Sequence, residues 1–209
     1  MSKDYETEQE KFWAGEFGDE YTERNDSAQQ LATMIAVFSK IIGSTLNIKS
    51  VLEVGCNRGI NLKAIGSIIP DVSIQGIEIN KKAADESRKI RNVSIFNGSA
   101  FEWPIEEEAF DLSFTRGVLI HIAPERLNDM YNLLYRSSRR YVLMAEYYNP
   151  TPVEVAYRGN EGKLFKRDFA GEFMDKYRDV KLLDYGFCYH RDNNYPTDDI
   201  TWFLMEKMK

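Results

Sequence analysis

The sequence is poor in the residues that build metal and disulfide frameworks. Cys56 and Cys188 are its only cysteines and His121 and His190 its only histidines, among 209 residues. Two distant cysteines indicate neither a disulfide scaffold nor a zinc site, so no metal centre is expected. Long apolar runs are missing too. Nothing approaches the roughly 20 residues of a membrane span, and the opening "MSKDYETEQEKFWAGEF" lacks the apolar core of a signal peptide. A soluble cytoplasmic protein without a membrane partner is therefore expected. Basic excess is lacking as well: 27 lysines and arginines stand against 33 acids, a formal net charge of −6. That balance argues against a nucleic-acid partner, which normally leaves a basic footprint. The oligomeric state stays open.

What is present is enough apolar material for a core, 43% of residues with 13% aromatic. The length suits one α/β domain, residues 1–209, with additions at 1–45 and 149–167. Thr7–Glu16 reads as a helix and "EFGDEYTERND" as a turn-rich connection. Ser27 is a candidate cap for a helix carrying Leu31, Met34, Ile35 and Phe38 at helical spacing. From Lys49 onward, strand-like and helix-like runs alternate. Strands are expected near 49–54, 72–79, 92–98, 110–117 and 140–148, with helices near 60–69, 81–90 and 124–138 between them. This order predicts a Rossmann-like, seven-stranded, mostly parallel sheet. The late runs "VKLLDYGFCYH" and "DITWFLMEKM" predict an antiparallel edge hairpin, and 1–45 an N-terminal helical cap.

Ligands of an open α/β sheet sit outside the carboxyl ends of its strands. There the sequence places "VLEVGCNRG". Gly55 allows a sharp turn and Gly59 a tight helix start, whose amides face the site. The dinucleotide pattern G-x-G-x-x-G is not supplied, and no Gly-Lys-Ser/Thr follows for a phosphate loop. Instead Glu53 precedes the glycines, favouring a cationic group over a pyrophosphate. Glu78, ending the second strand in "IEIN", is placed to accept ribose hydroxyls. "NGSA" offers Gly98–Ala100 to an adenine edge. A cationic amino acid, a ribose and an adenine together describe S-adenosylmethionine (SAM), the cofactor expected here.

These segments, with "FDLSFTRGVLIHI", resemble the successive motifs of class I SAM-dependent methyltransferases over about residues 48–150. The resemblance implies that Glu53, Gly55, Cys56, Asn57 and Gly59 flank the methionine, and that Glu78 and Ile79 bind the ribose. Ser99 and Ala100 would border the adenine, with Arg116, Gly117 and Val118 lining the cofactor. Asn57 replaces the usual middle glycine, and Ser99 stands where many members carry an Asp for the adenine amino group. More narrowly, "TEQEKFWAGEFGDEYTERN" and "YNPTPVEVAYRG" are similar to the pseudaminic-acid-biosynthesis-associated methylases. That likeness implies a small-molecule acceptor, a sugar or nucleotide-sugar of a bacterial surface glycan, methylated on oxygen. Another small metabolite as acceptor, or a noncatalytic SAM-binding module, remains open on the same residues. An NAD-linked oxidoreductase is disfavoured by the missing glycine fingerprint.

On the acceptor side, His121 is a candidate general base and Tyr147 a second catalytic candidate. Against this, His121 could simply order the loop before Pro124. Glu146, Tyr148 and Arg158 are candidate substrate contacts, Arg158 toward a phosphate or carboxylate. The plain alternative is a capped strand end and a solvated basic loop. Trp13, Phe17 and Tyr21 either pack the N-terminal helix onto the sheet or, as a compatible and favoured reading, form a lid that touches the sulfonium, with Trp13 and Tyr21 as cofactor contacts. Cys56 is read as a small loop residue rather than a nucleophile, because no base accompanies it.

Overall fold

The computed structural model describes residues 5–24 and 28–208. Ser27, the cap expected from sequence, lies outside the described residues. Seven strands form one sheet: β1 (Ser50–Val54), β2 (Ser73–Glu78), β3 (Val93–Asn97), β4 (Phe110–Arg116), β5 (Ser138–Glu146), β8 (Val180–Cys188) and β9 (Ile200–Lys207). Their order is β3-β2-β1-β4-β5-β9-β8. The first five are parallel, β9 runs antiparallel to β5, and β8 antiparallel to β9. Strand order therefore reverses between β1 and β4, and the crevice opens at their carboxyl ends.

The central strands are apolar on both faces because helices cover both. On one side, Leu52, Val54, Met130, Leu134, Phe169 and Phe173 are fully buried among α6 (Leu127–Ser137) and α7 (Phe169–Lys176). On the other, Phe38 and Ile41 of α3 (Ala28–Gly43) meet Leu62 and Ile65 of α4 (Ile60–Ile68), with Phe114 and Trp202 behind. Each such side chain taken from water contributes roughly 1.5–3 kcal/mol. α5 (Lys81–Ser87) covers β2 and β3, and Asn80 caps it by accepting from the Ala83 N–H at 2.9 Å.

Two elements differ from the sequence reading. The stretch expected as a turn-rich connection is a helix, α2 (Glu16–Arg24), following α1 (Glu8–Ala14). Gly18 lies close against the Trp13 carbonyl, where a Cβ would meet the oxygen at 1.9 Å, so the glycine serves packing rather than a turn. Within the addition at 149–167, β6 (Val153–Glu154) pairs with β7 (Phe165–Lys166). The helix expected from Pro124 begins as a turn of 3-10 helix at Pro124–Arg126, and a second such turn holds Leu119–His121.

No helix among the described residues is long and apolar enough to cross a membrane. No group of three or more His, Cys, Asp or Glu among them is arranged to hold a metal ion.

Candidate functional site

A cavity of about 480 Å³ opens at the carboxyl ends of β1, β2 and β4. Its floor is the loop after β1. Gly55 (φ 75°), Asn57 (φ 48°) and Gly59 (φ 76°) all take left-handed backbone, so the loop folds back without side chains filling the cleft. The Gly55 and Cys56 N–H groups donate to the Ile77 carbonyl at 2.8 and 3.1 Å, tying the loop to β2. A Cβ on Gly55 would stand 2.6 Å from Val118 Cγ2, so only glycine fits there. Asn57 tolerates positive φ because its own Oδ1 accepts from the Arg58 N–H at 2.6 Å.

Glu78 closes one wall. Its Oε2 accepts from the Asn57 N–H at 2.6 Å and its Oε1 from the Asn80 N–H at 2.8 Å. Two backbone amides fix the carboxylate, and each oxygen keeps a lone pair for a further donor. Burial nevertheless raises its pKa. Glu53, expected as a cofactor contact, lies behind the loop, fully buried and outside the cavity lining. Its Oε1 accepts from Asn61 Nδ2 at 2.6 Å, while its Oε2 has no hydrogen-bond partner among the described residues. Burial pushes the carboxyl up to about 8, against the opposing effects of the Asn61 bond and the Arg116 charge. Asn61 and Arg116 both line the cavity. A buried carboxylate with an orphaned oxygen is a costly arrangement without a cation to neutralise it.

The third wall is the loop after β3, with Gly98, Ser99, Ala100 and Phe101 on the cavity. Val118 and Ile79 also line it, as do Cys56, Gly117 and Tyr21. The Cys56 thiol is buried and its pKa raised mainly by that burial, which suits a packing role.

Over these walls sits an aromatic roof. Trp13 packs against Phe17 and Tyr21 at 5.4 and 5.3 Å between ring centroids, and against His121 at 4.7 Å. Tyr157, from the segment between β6 and β7, packs against His121 at 4.8 Å and against Trp13 at 6.3 Å, so the three rings form one cluster. Gln9 Nε2 donates to the Gly162 carbonyl at 3.0 Å, closing cap against insertion. The cap is anchored to the sheet by Asn80 Nδ2 donating to Asp19 Oδ1 at 2.8 Å and by Arg58 Nη1 donating to the Thr22 carbonyl at 3.2 Å.

His121 is buried with its Nδ1 2.6 Å from the Lys163 carbonyl. A carbonyl only accepts, so the proton is assigned to Nδ1 and Nε2 carries the lone pair. Desolvation lowers the imidazolium pKa to about 4, and the ring is neutral near pH 7.

Other residues expected at the site are placed elsewhere. Glu146 does not line the cavity. Its carboxylate accepts from the Val118 N–H at 3.0 Å and the Ile120 N–H at 3.4 Å, bracing the turn that carries His121. Burial raises its pKa to about 7. Tyr148 is 42% exposed and packs on Phe203, and Arg158 stands near the Tyr157 ring, outside the cavity lining. Tyr147 is partly buried beneath Lys166 and does not line the cavity; burial raises its pKa. Gly59 serves the helix start rather than the wall.

Several wall residues had no local signal. Glu10 reaches the cavity from α1, and His190, Pro196, Thr197 and Asp198 reach it from the β8–β9 connection. Thr197 accepts from Arg116 Nη2 at 2.7 Å, and Asp199 holds His190 Nδ1 at 2.8 Å. A polar turn far along the chain does not reveal that antiparallel β9 returns it to the crevice.

Residues 51–140 match a family model described as a methyltransferase domain. Solved structures extend the likeness along the chain. The plantazolicin methyltransferase BpumL in complex with S-adenosylhomocysteine (SAH) superposes with a TM-score of 0.67 at 11% identity, covering 96% of this chain and 94% of that one. The fold is that of a class I methyltransferase. A putative S-adenosylmethionine-dependent methyltransferase from Listeria monocytogenes gives 0.64 at 12% identity, over 88% of this chain and 100% of that one. The Burkholderia thailandensis 1,6-didemethyltoxoflavin-N1-methyltransferase, with bound 1,6-didemethyltoxoflavin and SAH, gives 0.67 at 13%, over 92% and 84%. No curated protein matches the sequence. Identities this low speak for the fold alone. Within that methyltransferase fold, the cavity lies at the switch point where strand order reverses.

Proposed function

We propose that the protein is a SAM-dependent methyltransferase acting on a small polar acceptor. The observation that carries this reading is Glu78, a buried carboxylate locked by two backbone amides beside a loop emptied of side chains. A diol suits its remaining lone pairs. The orphaned Glu53 oxygen behind the same loop suits the field of a cationic amino-acid end, and Arg116 supplies the opposite charge for its carboxylate. The residues present therefore fit SAM, which when bound supplies a methyl group on a cationic sulfur.

The chain's own part is positioning and proton handling. Holding an acceptor in near-attack geometry is worth roughly 7–11 kcal/mol. Trp13 and Tyr21 line the cavity as a roof, and Tyr157 backs Trp13. His121 Nε2, fixed by the Lys163 carbonyl, accepts a proton from the acceptor. An imidazole this weakly basic suffices, because an oxygen or nitrogen gaining a methyl becomes far more acidic.

For the acceptor we favour a sugar or nucleotide-sugar hydroxyl of a bacterial surface glycan, methylated on oxygen. The similarity of residues 7–25 and 148–159 to the pseudaminic-acid-associated methylases supports that class. BpumL and the toxoflavin enzyme act on other acceptors in the same fold, so acceptor choice is a separate question. Calorimetry with SAH tests the cofactor, and SAH release from SAM across sugar, nucleotide-sugar and other metabolite panels tests the acceptor. NAD binding without SAH binding would sink the reading. SAH binding with no turnover on any panel would leave a noncatalytic module.

A further inference from the structure

Helix α1 buries one residue, and it is an acid. Glu10 is 8% exposed, whereas the apolar Phe12 and Trp13 of the same helix are only half-buried. A docking helix normally buries its apolar stripe, and a carboxylate is expensive to desolvate without compensation.

The compensation seen is neutral. Glu10 Oε2 accepts from the Thr7 N–H at 2.9 Å and the Thr7 hydroxyl at 3.0 Å, completing a capping box. Its Oε1 accepts from the Ser99 hydroxyl, reaching across to the loop after β3. Glu10 and Ser99 both line the cavity, and Phe101 beside them belongs to the same wall. A carboxylate only accepts, and Oε1 retains a lone pair. The group it suits at that end of the cavity is an N–H donor.

This step rests on the reading that the cavity takes SAM. With the ribose on Glu78 at the end of β2, the base falls beside the loop after β3, the neighbouring strand. Adenine shows an amino donor on its edge, where hypoxanthine shows a carbonyl. We propose that Glu10 receives the exocyclic amino group of the adenine ring, so that the N-terminal helix, rather than the sheet, selects the base. Trp13 lies three residues on along the same helix, on a neighbouring face. Base recognition and closure of the aromatic roof over His121 thereby become one docking event.

The test compares SAH with its 6-oxo counterpart, S-inosylhomocysteine, by calorimetry on the wild type, Glu10→Gln and Glu10→Ala. The wild type should bind the 6-oxo compound more weakly by on the order of 100-fold, because two acceptors would face each other. Glu10→Gln keeps the capping box and can donate to a 6-oxo group, so the ratio should fall below about tenfold. Glu10→Ala should lose the discrimination and weaken SAH by at least about tenfold. Unchanged melting of ligand-free Glu10→Gln shows that the fold is kept. SAH affinity and discrimination both at wild-type levels in the variants would overturn the proposal and leave Glu10 a capping residue. Equal wild-type affinity for both compounds would overturn it as well. A wild type that binds no SAH defeats the functional reading itself, and this proposal with it.

Discussion

Replacing Glu53 by Gln should make the protein more stable near neutral pH and change how it binds SAH. Burial holds the folded carboxyl at about 8 against an ordinary value of 4.5. A group raised in this way contributes stability below the unfolded value and loses it as pH climbs toward the folded one. Between pH 4.5 and 7 the unfolded chain releases the proton while the folded one keeps it. At about 1.4 kcal/mol per pH unit, the loss over that window is roughly 3 kcal/mol. Glutamine carries no such linkage. Urea unfolding of both proteins from pH 4.5 to 7 should therefore show the variant gaining by about that amount relative to wild type. Ligand binding supplies the second half. A cationic ammonium near the loop stabilises the ionised form, so wild type should release close to one proton on binding SAH at pH 7. Calorimetric enthalpies in phosphate and Tris should then differ for wild type and agree for Glu53→Gln. If the two proteins keep parallel stability curves and neither shows buffer dependence, Glu53 is not the buried counter-charge argued here.

Other perturbations give separate readouts. Gly55→Val adds a Cβ at φ 75° against Val118; SAH binding should vanish, with at least about 1–2 kcal/mol lost from left-handed strain alone, both measurable by calorimetry and thermal melting. His121→Ala should leave SAH affinity within a few-fold but cut turnover roughly 10²–10⁴-fold; turnover within tenfold of wild type would reduce His121 to a loop anchor. Its imidazolium value of about 4 puts any acid limb it causes near pH 4, with activity level above pH 5. Glu146→Ala removes the brace under Val118 and Ile120, where bonds to a charged group are worth about 1.5–3 kcal/mol; lowered stability with unchanged SAH affinity would mark it as a strut, and selective loss of acceptor affinity would mark it as a binding group.

The parallel core was legible because its signals are local. Buried parallel strands read as short apolar runs, Pro70 and Pro124 mark helix boundaries, and the Gly55–Gly59 loop shows itself by lacking side chains. Where sequence reading fell short, contacts between distant segments decide the outcome. Gly18 looks like a turn residue until the Trp13 carbonyl is seen against it. Glu146 looks like a rim carboxylate, since nothing local tells that its oxygens are taken by amides 28 and 26 residues earlier. Tyr148 and Arg158 share a rim with the site in sequence terms but stand outside the cavity wall.

By itself, the sequence showed the succession of strands and helices, the crevice loop and the residues of its floor. A bare loop between two strand-end acids follows from residue size and charge at fixed spacing. Only the tertiary structure decided what closes over that floor. α1 and the 153–166 hairpin meet above it through Gln9 and Gly162, cluster Trp13 and Tyr157 against His121, and press Glu10 onto Ser99. The Gln9–Gly162 and Glu10–Ser99 bonds join residues 153 and 89 positions apart. No local pattern encodes which buried acid will face which hydroxyl, because that choice belongs to the packing of whole elements.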